Sequence, residues 1–200
     1  MKKTRILCIC CIGIVLAAIF VAAGIWFTKS DLEKIVITQG YIYNEKWKFD
    51  HIEENDEEKI ITIEFKKKQG YWNDNFESIY DIYQWLYSQL YEDNMLNEYL
   101  LNIDFFHIGE CFSIHNITAD LNNVEITCSS WIELEKISDK FPEAAALGLF
   151  PAIYSDISEF EDFYDLRYIC FGNQLTDSEI LCLKSYFPDC KLEFLYNSDF

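Results

Sequence analysis

Short apolar alternations recur through the second half of the chain at a nearly constant interval. They are Ile103-x-Phe105, Ile126-x-Cys128, Leu147-x-Leu149, Ile169-x-Phe171 and Leu192-x-Phe194. Their first members lie 23, 21, 22 and 23 residues apart. Alternation over a few residues is typical of a β-strand with one buried face, and an interval of this size indicates a structural repeat. The interval therefore predicts a series of strands, each of which begins one similar unit.

The segments between these strands contain sequences that favour the start of a helix. They have capping-box form, as Ser130-x-x-Glu133, Asp156-x-x-Glu159 and Thr176-x-x-Glu179. In this motif the first side chain accepts from the third amide of the helix, and the glutamate reaches back to the first residue. We therefore predict repeated units of strand, loop, helix and turn. Parallel strands of this kind need right-handed crossovers, and the alternation places the helices on one face of the sheet.

Two segments carry a resemblance to a known family. The stretch from Leu166 to Leu175 resembles the strand segment of a leucine-rich repeat of the ribonuclease-inhibitor-like type. The stretch from Leu175 to Phe194 is similar to a terminal helix and strand of that family, and the resemblance covers about residues 120–195. It implies a curved solenoid that binds another macromolecule along its open sheet, without catalysis.

The polar positions of the alternating strands form the candidate site. If the alternation holds, the solvated face of the sheet carries Asn102, Asp104, Glu125, Thr127, Gly148, Tyr168, Cys170, Lys191 and Glu193. From this face we select as binding residues Asp104, Glu125, Thr127, Tyr168 and Glu193. The set is acidic with one tyrosine, which complements a basic protein or peptide. The alternative is that these are simply solvent-facing strand residues.

Two further elements are predicted ahead of the repeats. The segments 34–38, 41–43 and 59–65 predict a small antiparallel β meander. Apolar residues at three- and four-residue spacing predict a helix with an apolar face over 75–99. The predicted fold is therefore α/β. A cytoplasmic stub and membrane anchor at 1–30 are followed by a small β meander at 31–70 and an α/β repeat domain at 71–200.

Residues 6–27 form an apolar segment of 22 residues without a charge. As a helix this segment would extend about 33 Å, the thickness of the hydrocarbon core of a bilayer. Three positive charges precede it, so the positive-inside rule places the N-terminus in the cytoplasm and the rest of the chain outside the membrane. We predict an uncleaved transmembrane signal anchor. Signal cleavage at Val21-Ala22-Ala23 and lipid attachment at Cys8, Cys10 or Cys11 remain as alternatives.

The charge of the chain excludes one class of partner. The chain has 16 Lys and Arg against 34 Asp and Glu, a net charge of −18. Most of the acidic excess lies in residues 71–200, which contain 24 acidic and 5 basic residues. Nucleic-acid binding requires a basic surface, so no nucleic acid is expected as a partner. An acidic surface instead attracts basic proteins.

The chemistry-bearing residues do not form a recognisable catalytic set. Three His residues with no Cys-x-x-Cys beside them offer little for a zinc site, and Gly-rich phosphate loops are absent from the sequence. His107 and Cys111 are four residues apart and would share a helix face as base and thiol, but nothing orients the imidazole. We therefore expect neither catalysis nor a cofactor. The five cysteines after residue 100 are predicted as mostly buried apolar residues, with at most one disulfide.

These observations together predict a membrane-anchored binding module outside the cytoplasmic membrane. It would recognise a protein or peptide, preferably a basic one, through the sheet face. The alternative is a structural envelope protein that acts through its membrane span and the helix at 75–99.

Overall fold

The computed structural model describes residues 33–34, 36–37, 46–68, 72–129, 132–150, 154 and 156–195. It divides the chain into two compact units, Met1–Tyr43 and Asn44–Phe200. In the first unit the described residues have helical backbone, so the strand predicted at 34–38 is wrong. The apolar segment 6–27 lies outside the described residues. Among the helices that the structure describes, none has both the length and the apolar character needed to cross a bilayer.

Eight strands of the second unit form one mixed sheet, and their order in the sheet is their order in the chain. The strands are β1 (Trp47–Asn55), β2 (Ile60–Lys67), β3 (Leu100–His107), β4 (Glu110–Ile117), β5 (Glu125–Cys128), β6 (Ala146–Leu149), β7 (Tyr168–Phe171) and β8 (Lys191–Phe194). β2 and β3 pair in parallel, as do all neighbours from β5 to β8. The pairs β1/β2, β3/β4 and β4/β5 are antiparallel.

Three α-helices and two 3₁₀ helices connect these strands. They are α1 (Trp72–Glu92), the 3₁₀ helix Met95–Asn97, α2 (Leu134–Lys140), the 3₁₀ helix Ile157–Asp162 and α3 (Asp177–Tyr186). The helix predicted over 75–99 thus exists, but it begins three residues earlier and ends at Glu92. It ends there because the chain enters a turn at Asp93 and Asn94, and Asn94 adopts a left-handed backbone with φ 59°.

The core lies between the sheet and the helices, and it is built from rows of aligned side chains. One row runs across seven strands through Ile63, Ile103, Ile114, Ile126, Leu147, Ile169 and Leu192. The next row runs through Phe65, Phe105, Phe112, Cys128, Leu149, Phe171 and Phe194. The rows are buried from β2 to β7 and become half-exposed at β8. Strand alternation thus separates a buried apolar face from a polar one, as the apolar pattern requires.

The predicted leucine-rich-repeat-like solenoid with a separate small β cap is wrong, and the transmembrane helix predicted ahead of it lies outside the described residues. The interval between Ile103 and Ile126 contains an antiparallel hairpin partner, β4, where the repeat requires a helix. The interval between β6 and β7 contains a six-residue 3₁₀ helix. The β1/β2 hairpin is not a separate cap, because β2 joins the same sheet through β3. A constant interval reports where strands begin, and it does not specify what connects them.

Two of the three capping boxes are confirmed. The Asp156 carboxylate accepts from the Ser158 amide while the Asp156 amide donates to Glu159. Thr176 and Glu179 make the same reciprocal pair at the start of α3. Ser130, the first residue of the third box, lies outside the described residues, and α2 begins at Leu134 after an N-cap residue that makes no side-chain capping bond.

Candidate binding face

The face of the sheet opposite the core carries two aligned rows of mostly polar residues, which we call the open face. The first row is His51, Glu64, Asp104, Ser113, Thr127, Gly148, Cys170 and Glu193. The second row is Glu53, Thr62, Asn102, His115, Glu125, Ala146, Tyr168 and Lys191. These rows contain five carboxylates and one lysine. The neighbouring row on the same face carries Lys48 and Lys66, so the face is acidic overall with a basic margin on β1 and β2.

The structure places all five predicted site residues on the open face. Asp104, Thr127 and Glu193 lie in the first row, on β3, β5 and β8. Glu125 and Tyr168 lie in the second row, on β5 and β7. Neighbouring strands are about 4.8 Å apart, so the five steps from Asp104 to Glu193 separate these two residues by about 24 Å. The site is thus a broad surface rather than a compact pocket.

Asp104 is the most firmly held carboxylate of the open face. Its Oδ1 lies 2.8 Å from His115 Nε2, and its side chain is only 13% exposed. Burial acts to raise its pKa, but hydrogen bonds from His115 and Ser113, together with the charge of His115, outweigh burial and lower the pKa. The Ser113 hydroxyl donates to the Asp104 carboxylate, whereas the serine of a catalytic triad donates to the histidine, so these three residues do not have the order of a triad. The arrangement holds an anion in place.

Glu125 is positioned by a bulge in the neighbouring strand. Between Ile103 and Leu101 on β3, the partner strand β4 has one residue more. Asn116 absorbs the extra length in a left-handed backbone with φ 57°. Its amide N–H donates to Asn102 Oδ1 at 3.0 Å, and its side-chain Nδ2 donates to Glu125 Oε2 at 3.3 Å. The bulge therefore orients the Glu125 carboxylate, which is typical of the way bulges aim side chains.

Tyr168, Lys191 and Glu193 form a third cluster at the β8 end of the open face. The Tyr168 hydroxyl donates to Glu193 Oε2 at 2.9 Å. Lys191 Nζ lies 3.5 Å from the same oxygen and 5.3 Å from the centre of the Tyr168 ring. Desolvation, followed by the neighbouring Glu193 and Cys170, raises the pKa of Tyr168, so it remains a neutral hydrogen-bond donor at physiological pH.

Two residues predicted to be solvated on this face are buried, because Phe150 covers the sheet there. A Cβ on Gly148 would lie 3.1 Å from Phe150 Cε2, and a Cβ on Gly172 would lie 3.1 Å from Phe150 Cδ1. Both glycines are buried, and Cys170 is only 8% exposed. Sequence reasoning missed Phe150. The available signal was Gly148 itself, since glycine inside a strand marks close approach of another group.

The thiols show no catalytic arrangement in the described residues. His107 and Cys111 lie on the two strands of the β3/β4 hairpin, so they do not share a helix face. Cys111 Sγ lies 3.2 Å from the hydroxyl of Ser129. None of the five cysteines described forms a disulfide. Across the described ranges, no group of three or more His, Cys, Asp or Glu residues is arranged to hold a metal ion.

Comparison with protein-family models, with curated proteins and with solved structures finds no match to this chain. The leucine-rich-repeat resemblance thus gains no support from relatives, and the open face must be interpreted from its own geometry.

We expect Asp104→Asn to lower the free energy of unfolding at pH 7 by about 1–3 kcal/mol, because the amide cannot replace the charged acceptor. The pKa of Asp104 is lowered in the folded chain, so its stabilisation is complete above its ordinary pKa of 3.8 and is lost as the pH falls through the lower folded value. Urea unfolding from pH 7 to pH 2 measures both effects.

The control for this prediction is Asp165→Asn, which removes the same charge from an exposed position. Its effect should stay within about 0.5 kcal/mol at every pH. A loss of stability in Asp104→Asn that stays constant down to pH 2 would contradict the role assigned to the carboxylate.

Proposed function

We propose that this chain is a binding protein that captures a basic protein or peptide on the open face, without catalysis. The observation that carries the proposal is the fixed position of the carboxylates. Asp104 is held by His115, Glu125 by Asn116 and Glu193 by the hydroxyl of Tyr168. A basic ligand would meet anions that are already ordered, so association would lose less side-chain entropy than binding to mobile glutamates.

The layout of the charges favours a partner that crosses several strands. Acidic residues of the open face lie on β1, β2, β3, β5 and β8, so they span the width of the sheet. Lys or Arg side chains of an extended segment, or of one face of a folded protein, would reach them in succession. The net charge of −18 would attract such a partner from a distance, and salt would weaken this attraction.

The proposal includes a location, which rests on the sequence alone. Residues 6–27 would anchor the chain in the cytoplasmic membrane, and the unit that carries the open face would lie outside it. The uncharged length of this segment and the positive charges before it support that orientation. A membrane-held acidic surface would intercept basic proteins that arrive at the cell envelope.

The alternative, a structural envelope protein that makes contacts through α1, has less support. The apolar residues of that helix face the core of this chain, where Phe76, Ile79, Leu86 and Leu90 are buried. A partner of α1 would therefore meet its polar residues and Tyr91, which is 54% exposed. The open face offers more fixed polar groups than this surface.

A charge-matched pair of variants tests the proposal. The probe is a fluorescein-labelled octalysine peptide, and fluorescence anisotropy with the full-length chain measures its Kd at low and at physiological salt. The variant Glu125→Gln/Glu193→Gln removes two carboxylates from the open face. We expect the Kd to rise about fivefold to tenfold, since each exposed ion pair contributes up to about 1 kcal/mol.

The matched control is Glu57→Gln/Glu92→Gln, which removes two exposed carboxylates from outside the open face. Its net charge equals that of the first variant, so long-range attraction is the same, and its Kd should rise by less than about twofold. Equal effects of the two double variants would refute a specific face. A parent chain that does not retain the peptide at low salt would refute the proposed function as a whole.

A further inference from the structure

We propose that β8 pairs antiparallel with β8 of a second copy of this chain. In the described part of the chain, β8 is the last strand of the sheet. The amides of Lys191 and Leu195 donate to the carbonyls of Arg167 and Phe171, so the backbone of these residues faces β7. Because backbone direction alternates along a strand, the N–H and C=O groups of Leu192 and Phe194 point away from the sheet. They are available to another strand.

Apolar surface is concentrated at the same end of the sheet. Leu192 and Phe194 continue rows that are buried from β2 to β7, yet both are half-exposed. Leu195 follows them with 56% of its surface exposed, and Leu181 on the preceding helix α3 is 71% exposed. Exposed apolar side chains beside an unpaired strand edge are typical of a surface that associates with another chain.

β1, at the opposite edge of the sheet, has a feature that protects an edge strand from pairing with other chains. β1 has a bulge between Phe49 and His51. A bulge bends an edge strand so that it pairs poorly with other chains. β8 is regular through its four residues, so it is the edge that remains able to pair.

The charges of β8 favour a second copy and the register in which Lys191 and Glu193 meet. In an antiparallel pair with its two-fold axis at Leu192, each Lys191 lies opposite Glu193 of the other copy, and the two Leu192 residues exchange backbone hydrogen bonds. Moving the axis to Glu193 would place two glutamates opposite each other, which is unfavourable. A two-fold pair also closes on itself, so it gives a dimer rather than a fibre.

The side chains of Lys191 and Glu193 are accessible for pairing between two chains. The side chains of Lys191 and Glu193 are 72% and 46% exposed, and they contact each other at 3.5 Å within one chain. Pairing would replace that contact by two between chains on the open face, and it would bury the exposed Leu192 and Phe194 surface on the core face. The sheets of the two copies would then form one sheet of sixteen strands, twice the eight of one chain.

Charge reversal tests the pairing and its register. The full-length chain is studied in detergent by sedimentation, and mixed association is followed by fluorescence energy transfer between two labelled batches. Lys191→Glu places glutamates opposite each other twice, and Glu193→Lys does the same with lysines. We expect each single variant to dimerise at least tenfold more weakly than the parent. A 1:1 mixture of the two variants should form a heterodimer with near-parental affinity, because every pair is then complementary.

Controls separate this contact from other causes of association. Lys136→Glu makes the same charge change on α2 and should leave the dimer unchanged, and circular dichroism checks that each variant is folded. A parent chain that is monomeric would overturn the proposal. So would equal dimerisation of every variant, which is the result expected if residues 6–27 caused the association. Failure of the mixture to restore the dimer would also overturn it. None of these readouts depends on the basic peptide, so the proposed function is tested separately.

Discussion

Replacing Phe141 with alanine is expected to lower the free energy of unfolding by about 3–5 kcal/mol, the cost of removing a large ring from a packed core. Phe141 is fully buried. Its ring centre lies 5.1 Å from Tyr83, 5.5 Å from Tyr80 and 6.3 Å from both Phe76 and Phe112. One residue at the end of α2 thus joins α1 to the sheet, and the cavity left by alanine would have walls on both elements.

Urea unfolding of the full-length chain, followed by tryptophan fluorescence, measures this loss. Phe141→Leu retains most of the volume and should cost clearly less than the alanine variant. Leu181→Ala removes a side chain that is 71% exposed, and it should change stability by less than about 0.5 kcal/mol. If Phe141→Ala cost no more than Leu181→Ala, the assignment of Phe141 as the link between α1 and the sheet would be wrong.

We expect Gly148→Ala to lower the free energy of unfolding by about 1–3 kcal/mol, because it adds a methyl group to a filled space. The new Cβ would lie 3.1 Å from Phe150 Cε2 and 3.1 Å from Thr127 Oγ1. Both neighbours would have to give way. The Phe150 ring is also limited by Gly172, against which its opposite part lies.

A double-variant cycle identifies the cause. In a Phe150→Ala background only the contact with Thr127 remains, so Gly148→Ala should cost clearly less there. Thermal unfolding of the parent, the two single variants and the double variant gives the interaction energy. An equal loss from Gly148→Ala in both backgrounds would show that the Phe150 ring is not what requires glycine at this position.

Local patterns predicted the elements that have a strong apolar period. The alternation at Ile126, Leu147, Ile169 and Leu192 located four strands that the structure places side by side and in register. The same alternation predicted which side chains lie on the open face, and so placed Asp104 and Glu125 there. These successes have one cause, which is that the period of a strand is a local property of the chain.

Pairing direction was not predictable, because it depends on the connections. The β3/β4 hairpin turns at Ile108 and Gly109, both with positive φ. Two-residue turns of this kind usually contain Asn or Asp before the glycine, and the β-branched Ile108 gives no such signal. A strand was therefore missed at β4, and a repeat was inferred where a hairpin lies.

The side-chain contacts of the open face could not be predicted from the sequence either. The bond between Asp104 and His115 joins residues on two strands of that unrecognised hairpin. Phe150, which follows β6, folds back over the open face and covers Gly148. Both features require knowledge of which strands are neighbours, and an alternating pattern contains no such information.

The identity of strand order and chain order also determines how the protein can assemble. Each strand pairs with the one synthesised just before it, so no strand has to enter between two others that are already paired. Loop closure is therefore inexpensive at most steps, and short separations of this kind favour rapid folding. A growing chain emerges with its N-terminus first. At every length, the strand made last would form the edge of the sheet to which the next strand adds.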